Sequence, residues 1–368
     1  MSRQRVSVVV AQALIALGCS SGSGAAGVQG EAEGGAPPST LGSSEAGAPG
    51  SSGSGGASGG SGSGSGGSGS SSGSGSSSGS SLGSSSGGGS GSSSGSTSAT
   101  DGGAQGASKC GAALDTTAPT AASIVKDGTL SVTSYSTGLP SSPDYKSLTV
   151  FYPSSASGPF VVVMMSPGLT EVLAYWQLWA QRFASYGYVA VFVEANDTNN
   201  DSEAVRATGL WSAIGAVKAE NTRAGSPLAG KLSGCIVTSG HSLGGGASFT
   251  IANAHPNDIK GALGFNPYDP ITNFSSIVAP TLAVTGQSDT TAPPAQHGRR
   301  QYDSMPATIT KEYVEISGGN HQAALFPGTL PGQYAVSWIK VTVDGDARYR
   351  PFLDKAASGL SDFATTLQ

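Results

Sequence analysis

One serine constrains this chain more than any other residue. It sits in Gly240-His241-Ser242-Leu243-Gly244-Gly245-Gly246, with glycines two positions to either side. Upstream, Cys235-Ile236-Val237-Thr238 reads as a short buried strand, and downstream, Ala247 to Ala252 reads as a helix. That arrangement is the G-x-S-x-G elbow, a sharp strand-to-helix turn that leaves a serine hydroxyl standing clear of a sheet. Glycine-sized neighbours leave room for the adjoining chain. The backbone N–H of Leu243, at the start of the helix, faces the place where an oxyanion would form. Context separates this match from Gly56-Ala57-Ser58-Gly59-Gly60, which has the same spacing but lies in a glycine-serine tract. The absence of a Lys-Ser/Thr pair and of dinucleotide-type glycine spacing argues against a phosphate-binding turn.

The segments before residue 109 carry other signals. Arg3 and Arg5 precede an apolar stretch from Val6 to Leu17 that is too short to span a bilayer. Residues 1–19 therefore read as a secretory signal peptide. Ala16-Leu17-Gly18-Cys19 resembles a bacterial lipobox with leucine and the small residue exchanged. Two readings stay open: a cell-surface or outer-membrane lipoprotein whose membrane contact is lipid on Cys19, and simple secretion. Residues 20–108 are Gly, Ser, Ala and Pro with almost no aromatic or branched side chains, which predicts a disordered tether. A net charge of −5 gives no reason to expect nucleic acid as a partner. If Cys19 is acylated, Cys110 and Cys235 remain. They form either a disulfide stabilising by ~4 kcal/mol, or leave Cys235 as a buried free thiol.

Residues 109–368 are long enough for one large domain with a sizeable core. Strands are expected over 130–135, 147–152, 160–165, 188–194, 261–265, 281–286 and 310–316. Helices are expected over 175–186, 203–221, 293–304 and 334–343. Most strands are continuously apolar, as in a parallel sheet buried on both faces. The fold class is thus α/β: a mostly parallel central sheet with helices on both faces and an active site at the carboxyl ends of the strands. The polar run Asn196 to Ser202 lacks the central glycine and distal glutamate of a calcium loop and reads instead as a helix cap.

A serine hydroxyl needs a base, and the base needs an orienting acid. Of four histidines, His255 lies at the far end of the elbow helix and His297 inside an expected helix. His241 is expected to turn away from the elbow. His321, in Gly318-Gly319-Asn320-His321 just after a strand end, is the candidate base. Asp289 follows strand 281–286 and is the candidate acid, with Asp269 and then Asp197 as rivals. The order Ser242, Asp289, His321 is that of an α/β-hydrolase. The loop Ser166-Pro167-Gly168-Leu169-Thr170 supplies the second oxyanion donor, assigned to the Leu169 N–H beside that of Leu243.

These pieces occur as an ordered set: Ser-Pro-Gly-Leu-Thr, Ser185-Tyr186-Gly187-Tyr188-Val189-Ala190, Gly-His-Ser-Leu-Gly-Gly-Gly, Ala279-Pro280-Thr281-Leu282 with Gly286-Gln287-Ser288-Asp289-Thr290, Asn320-His321, Trp338-Ile339-Lys340 and Val343-Asp344-Gly345-Asp346-Ala347-Arg348-Tyr349. Together they resemble the bacterial cutinase-like polyesterases, the group that includes poly(ethylene terephthalate) hydrolases and related lipases. The resemblance implies ester hydrolysis, no metal in the mechanism and an open groove with no large lid; with the α/β-hydrolase order of the three residues, the expectation is a monomer that works through an acyl-enzyme without a cofactor. Tyr268 would line the acyl side. The chain departs from the family at Leu169, where tyrosine or phenylalanine is usual, and at Tyr268, where tryptophan is usual. It also has Leu243 for the usual methionine, and Phe352-Leu353-Asp354 near the place of a C-terminal cysteine pair. Stacking on an aromatic ester should weaken by ~1 kcal/mol per lost ring contact. Acetyl-carbohydrate esterase, dienelactone-type hydrolase and a catalytically silent binding module are the alternative readings.

Overall fold

In the run Phe160–Ser166 every residue is buried. A strand sends alternate side chains to opposite faces, so such a run needs cover on both sides. The computed structural model, which describes residues 110–111, 117–271 and 273–368, shows that cover. Val161, Val163 and Met165 enter one hydrophobic cluster, and Phe160, Val162 and Met164 the other. The expected signal peptide, Cys19 and the 20–108 tether lie outside the described residues.

A short α1 (Ala121–Ile124) is capped by Thr120 and precedes β1 (Val132–Tyr135), β2 (Ser147–Pro153) and β3 (Phe160–Ser166). Then come α2 (Leu173–Ser185), β4 (Val189–Glu194), α3 (Glu203–Glu220), β5 (Leu232–His241), α4 (Leu243–Ala254) and β6 (Ile259–Phe265). The chain continues through β7 (Thr281–Gly286), α5 (Gly298–Ser304), β8 (Lys311–Ile316), α6 (Leu330–Thr342), a 3₁₀ turn at Ala347–Phe352 and β9 (Leu360–Thr365). The nine strands of the described residues form one sheet in the order β1-β2-β4-β3-β5-β6-β7-β8-β9. Pairing is parallel from β4 through β8 and antiparallel at both margins. This is the mostly parallel sheet, covered by helices on both faces, that the apolar strands implied.

One face packs on α2 and α6. Trp176, Trp179 and Phe183 recur at helical spacing on α2 and are fully buried, and Trp179 stacks on Phe265 of β6 with ring centres 4.3 Å apart. Tyr334 and Trp338 of α6 join the same cluster. The other face packs on α3 and α4 through Leu210, Ile214, Val217 and Phe249. Ser202 caps α3, accepting from the Val205 N–H at 3.4 Å, so the polar loop before it acts as a helix cap, as its sequence suggested.

Two features differ from the sequence reading. The helix expected from residue 293 begins only at Gly298. Pro293 and Pro294 lack the N–H groups a helix interior needs, and the segment turns instead, with Gln296 N–H donating to Pro293 C=O. Strand β9 was not anticipated, because Leu360–Thr365 has no fully buried position, five being half-buried and Ser361 exposed, and no clear alternation. It pairs antiparallel with β8 and covers what would be an open sheet edge. Of the two readings of the cysteines, the disulfide is the one present: Cys110 and Cys235 are bonded, with Cα atoms 5.8 Å apart across 125 residues of sequence. No helix of the described residues is long and apolar enough to cross a membrane.

Candidate active site

The parallel register aligns the carboxyl ends of the central strands. Ser166 of β3 pairs with Gly240 of β5, and His241 of β5 with Phe265 of β6. The segments leaving β3, β5, β6, β7 and β8 therefore emerge side by side. They carry residues 167–171, Ser242, Asn266 to Tyr268, Asp289 and His321.

The elbow is built as its glycines imply. Ser242 has φ 53° and ψ −122°, left-handed backbone that a non-glycine residue adopts at a cost. A Cβ on Gly240 would collide with the Gly244 carbonyl, and one on Gly244 with the Ser166 carbonyl. The two glycines thus let β5, α4 and β3 close around the serine. Gly168 is equally confined: a Cβ there would lie 2.9 Å from the Ser242 Cβ and 2.6 Å from Glu171 Oε1.

The structure brings Ser242, His321 and Asp289 into one line of hydrogen bonds. Ser242 Oγ lies 2.9 Å from His321 Nε2, and His321 Nδ1 lies 2.8 Å from Asp289 Oδ2. A carboxylate only accepts, so the imidazole proton sits on Nδ1 and leaves the Nε2 lone pair facing the hydroxyl. Burial alone would raise the Asp289 carboxyl. Hydrogen bonds from His321, the Ala292 N–H and Asn266, with the His321 charge, outweigh it and hold the group below its ordinary value. Its Oδ1 accepts the Thr291 and Ala292 N–H groups at 2.9 and 2.8 Å.

The rivals lie elsewhere. Asp269 is fully buried and accepts from Ile271 N–H and Thr250 Oγ1; burial raises its carboxyl despite those bonds. Asp197 organises an exposed turn with Asn199 and Asn200. His255 stacks on Trp211. His297 stacks on Tyr268 and stands at the N-terminal boundary of α5.

A cleft of about 590 Å³ opens over the serine, lined by Leu169, Thr170, Glu171, Tyr175, His241, Leu243, Tyr268, Thr291, His321, Gln322 and Leu325 along with Ser242. Leu169 is 49% exposed, and Tyr268 is among the lining residues. Leu243 opens α4, so its N–H has no intrahelical acceptor. Leu169 stands between two anchored amides: Gly168 N–H donates to Glu171 Oε2 at 2.7 Å, and Thr170 N–H to the Thr198 carbonyl at 2.7 Å.

The expectation that His241 turns away from the elbow is corrected. Its ring lines the cleft, buried to 2% exposure, with Nδ1 2.5 Å from Glu171 Oε1 and Nε2 2.7 Å from the His321 carbonyl oxygen. As the last residue of β5 it escapes simple strand alternation, because the elbow bends the chain at the next position. Two residues of the site were missed from sequence. Glu171 follows the quoted loop and is 6% exposed. Asn266 has φ 43°, donates to Asp289 Oδ2 at 3.0 Å and accepts from Ala324 N–H at 3.1 Å. An asparagine just past a strand end was the available signal for a left-handed residue there, although the proline after it favours extended backbone.

The PET hydrolase-like family model matches residues 110–366. Over 206 residues, 56% of this chain, the sequence is 34% identical to Cutinase 1 of Thermobifida cellulosilytica, covering 76% of that protein. It is likewise 34% identical to a cutinase of Thermobifida fusca (strain YX), covering 66% of it. Over the same length it is 29% identical to a bis(hydroxyethyl) terephthalate hydrolase of Streptomyces coelicolor, covering 64%. The match takes in every strand and helix around the serine, and so the chain belongs to the PET hydrolase-like family and is a carboxylic ester hydrolase.

Proposed function

We propose that the protein is an exported serine esterase that cleaves carboxylic esters, including ester chains with apolar flanks, through a covalent acyl-enzyme. Ser242 Oγ attacks the ester carbonyl carbon while its proton passes to His321 Nε2. The new C–O bond leaves a tetrahedral oxyanion, held by the Leu169 and Leu243 N–H groups. Asp289 fixes the imidazole tautomer and stabilises the imidazolium. The carbonyl re-forms, the alkoxide leaves with the proton from His321, and water repeats the sequence to release the acid. The observation that carries this reading is the unbroken Ser242–His321–Asp289 line at 2.9 and 2.8 Å, opening on a cleft.

Leu169, Tyr175, Tyr268 and Leu325 give the cleft apolar walls suited to the chain on either side of an ester. An exported life agrees with the leader-like residues 1–19 and with the Cys110–Cys235 disulfide. The Gly/Ser-rich stretch would then be a spacer. Mass spectrometry of the mature N-terminus distinguishes acylated Cys19 from plain secretion.

The test is Ser242→Ala in the full chain. Hydrolysis of p-nitrophenyl butyrate and labelling by a fluorophosphonate probe should both vanish while the fold persists. Turnover at the wild-type rate in that variant rejects the mechanism.

A further inference from the structure

Beneath the cleft lies a buried ion-pair-like contact that the reaction scheme does not use. Glu171 Oε1 meets His241 Nδ1 at 2.5 Å, and both side chains are almost fully buried. Glu171 Oε2 accepts two N–H groups, from Gly168 at 2.7 Å and from the Trp176 indole at 2.9 Å. His241 Nε2 faces a carbonyl oxygen, that of His321, at 2.7 Å. A carbonyl cannot donate, so Nε2 carries a proton. Every polar atom of the two side chains is thereby committed, and the contact requires one proton between Nδ1 and Oε1, carried by one or the other.

The three groups so joined belong to three separate segments. Gly168 is one residue before the Leu169 amide, His241 one residue before Ser242, and His321 is the base. The outer side of the 167–171 loop has its own support: Arg206 Nη1 donates to the Pro167 carbonyl at 3.3 Å, and the Thr198 carbonyl accepts from Thr170 N–H. Glu171 supplies the inner side, facing the serine.

We infer that Glu171 and His241 act as a positioning pair, fixing the Leu169 oxyanion amide and the His321 backbone relative to Ser242. The inference rests on the proposed roles of Ser242, His321 and the Leu169 N–H. It gives Glu171 a role in ester hydrolysis although it does not touch the reacting atoms. A misplacement of about 1 Å in such a constellation costs roughly 10²-fold in rate.

The experiment measures kcat and KM for p-nitrophenyl butyrate on the full chain, with active sites counted by fluorophosphonate titration. Glu171→Ala should lower kcat per titrated site by about 10²-fold with KM shifted by less than about threefold. Glu171→Gln should restore kcat to within about fivefold of wild type. Its amide oxygen can accept from Gly168 and Trp176, and its NH₂ can donate to an unprotonated Nδ1. A purely structural role would reduce the titrated fraction and leave kcat per site unchanged. Should Glu171→Ala not fold, His241→Phe keeps an aromatic ring there, a somewhat larger one, removes both histidine bonds and should show the same loss. Wild-type kcat per site in Glu171→Ala or His241→Phe, or a Glu171→Gln variant no better than Glu171→Ala, overturns the inference. Ser242→Ala, run in parallel, separates the failures: its inactivity beside a fully active Glu171→Ala rejects the pair alone, and its activity rejects the mechanism itself.

Discussion

Asn266 Nδ2 and His321 Nδ1 converge on the same oxygen, Asp289 Oδ2, at 3.0 and 2.8 Å. The asparagine thereby sets where the carboxylate can stand before the histidine meets it. Its Oδ1 meanwhile accepts from Ala324 N–H and ties down the segment that follows His321. Asn266→Ala removes these two bonds and a third, from Nδ2 to the Asn320 carbonyl at 3.3 Å, and leaves the buried Ala324 N–H unpaired. It should lower unfolding stability by about 1–3 kcal/mol and reduce kcat more than it raises KM. Urea denaturation and steady-state kinetics on p-nitrophenyl butyrate check the two effects.

The Cys110–Cys235 bond ties the entry of the described domain to β5, the strand that ends at the elbow. Closing so long a loop restricts the unfolded chain. Replacing both cysteines with serine should cost about 4 kcal/mol, equivalent to a fall in Tm on the order of 10 °C for a domain of this size. The same fall should follow chemical reduction of the wild-type protein, as read by thermal melts.

Burial pushes the Glu312 carboxyl, whose two oxygens have no hydrogen-bond partner, up to about 8; nearby Thr365 opposes the rise and the Asp354 charge adds to it. Burial likewise pushes Glu203 up to about 7, with the Asp269 charge adding and Thr250 opposing. An unfolded carboxyl loses its proton near pH 4.3, whereas these two keep theirs in the fold up to about 7 and 8. Between those limits the native state binds more protons than the unfolded state, so stability falls as pH rises. Glu312→Gln keeps the shape and removes the ionisation. Its stability relative to wild type should improve steadily from pH 5 to pH 8, as denaturant melts at each pH would record. A constant difference across that range contradicts the assignment.

Leu169 and Tyr268 line the same cleft, and Leu169 is 49% exposed. An aromatic ring at that position could stack on an aromatic acyl group. Leu169→Tyr should gain about 1 kcal/mol on such a substrate, close to fivefold in kcat/KM. The ratio of kcat/KM for bis(hydroxyethyl) terephthalate to that for p-nitrophenyl butyrate isolates the stacking gain. An unchanged ratio shows that position 169 does not contact the acyl group.

Local pattern carried much of this protein. Apolar runs such as Phe160–Ser166 can satisfy their side chains only inside a sheet covered on both faces, and the glycines around Ser242 admit one kind of turn. Because such a sheet gathers its strand ends at one rim, position favoured His321 among the four histidines and, with the order of the three residues, put Asp289 ahead of Asp269 and Asp197. What chain order could not disclose were contacts made by residues whose own neighbourhood is unremarkable. Glu171 reads as one more helix-proximal acid until folding sets it against His241, 70 residues away. His241 reads as a spacer until the bend at Ser242 turns its ring under the His321 carbonyl. Strand β9 gains its conformation from the exposed edge of β8 rather than from its own weak alternation. Periodicity and turn chemistry are short-range and leave a trace in the residues themselves. Hydrogen bonds between distant segments depend on where tertiary packing brings each donor and acceptor.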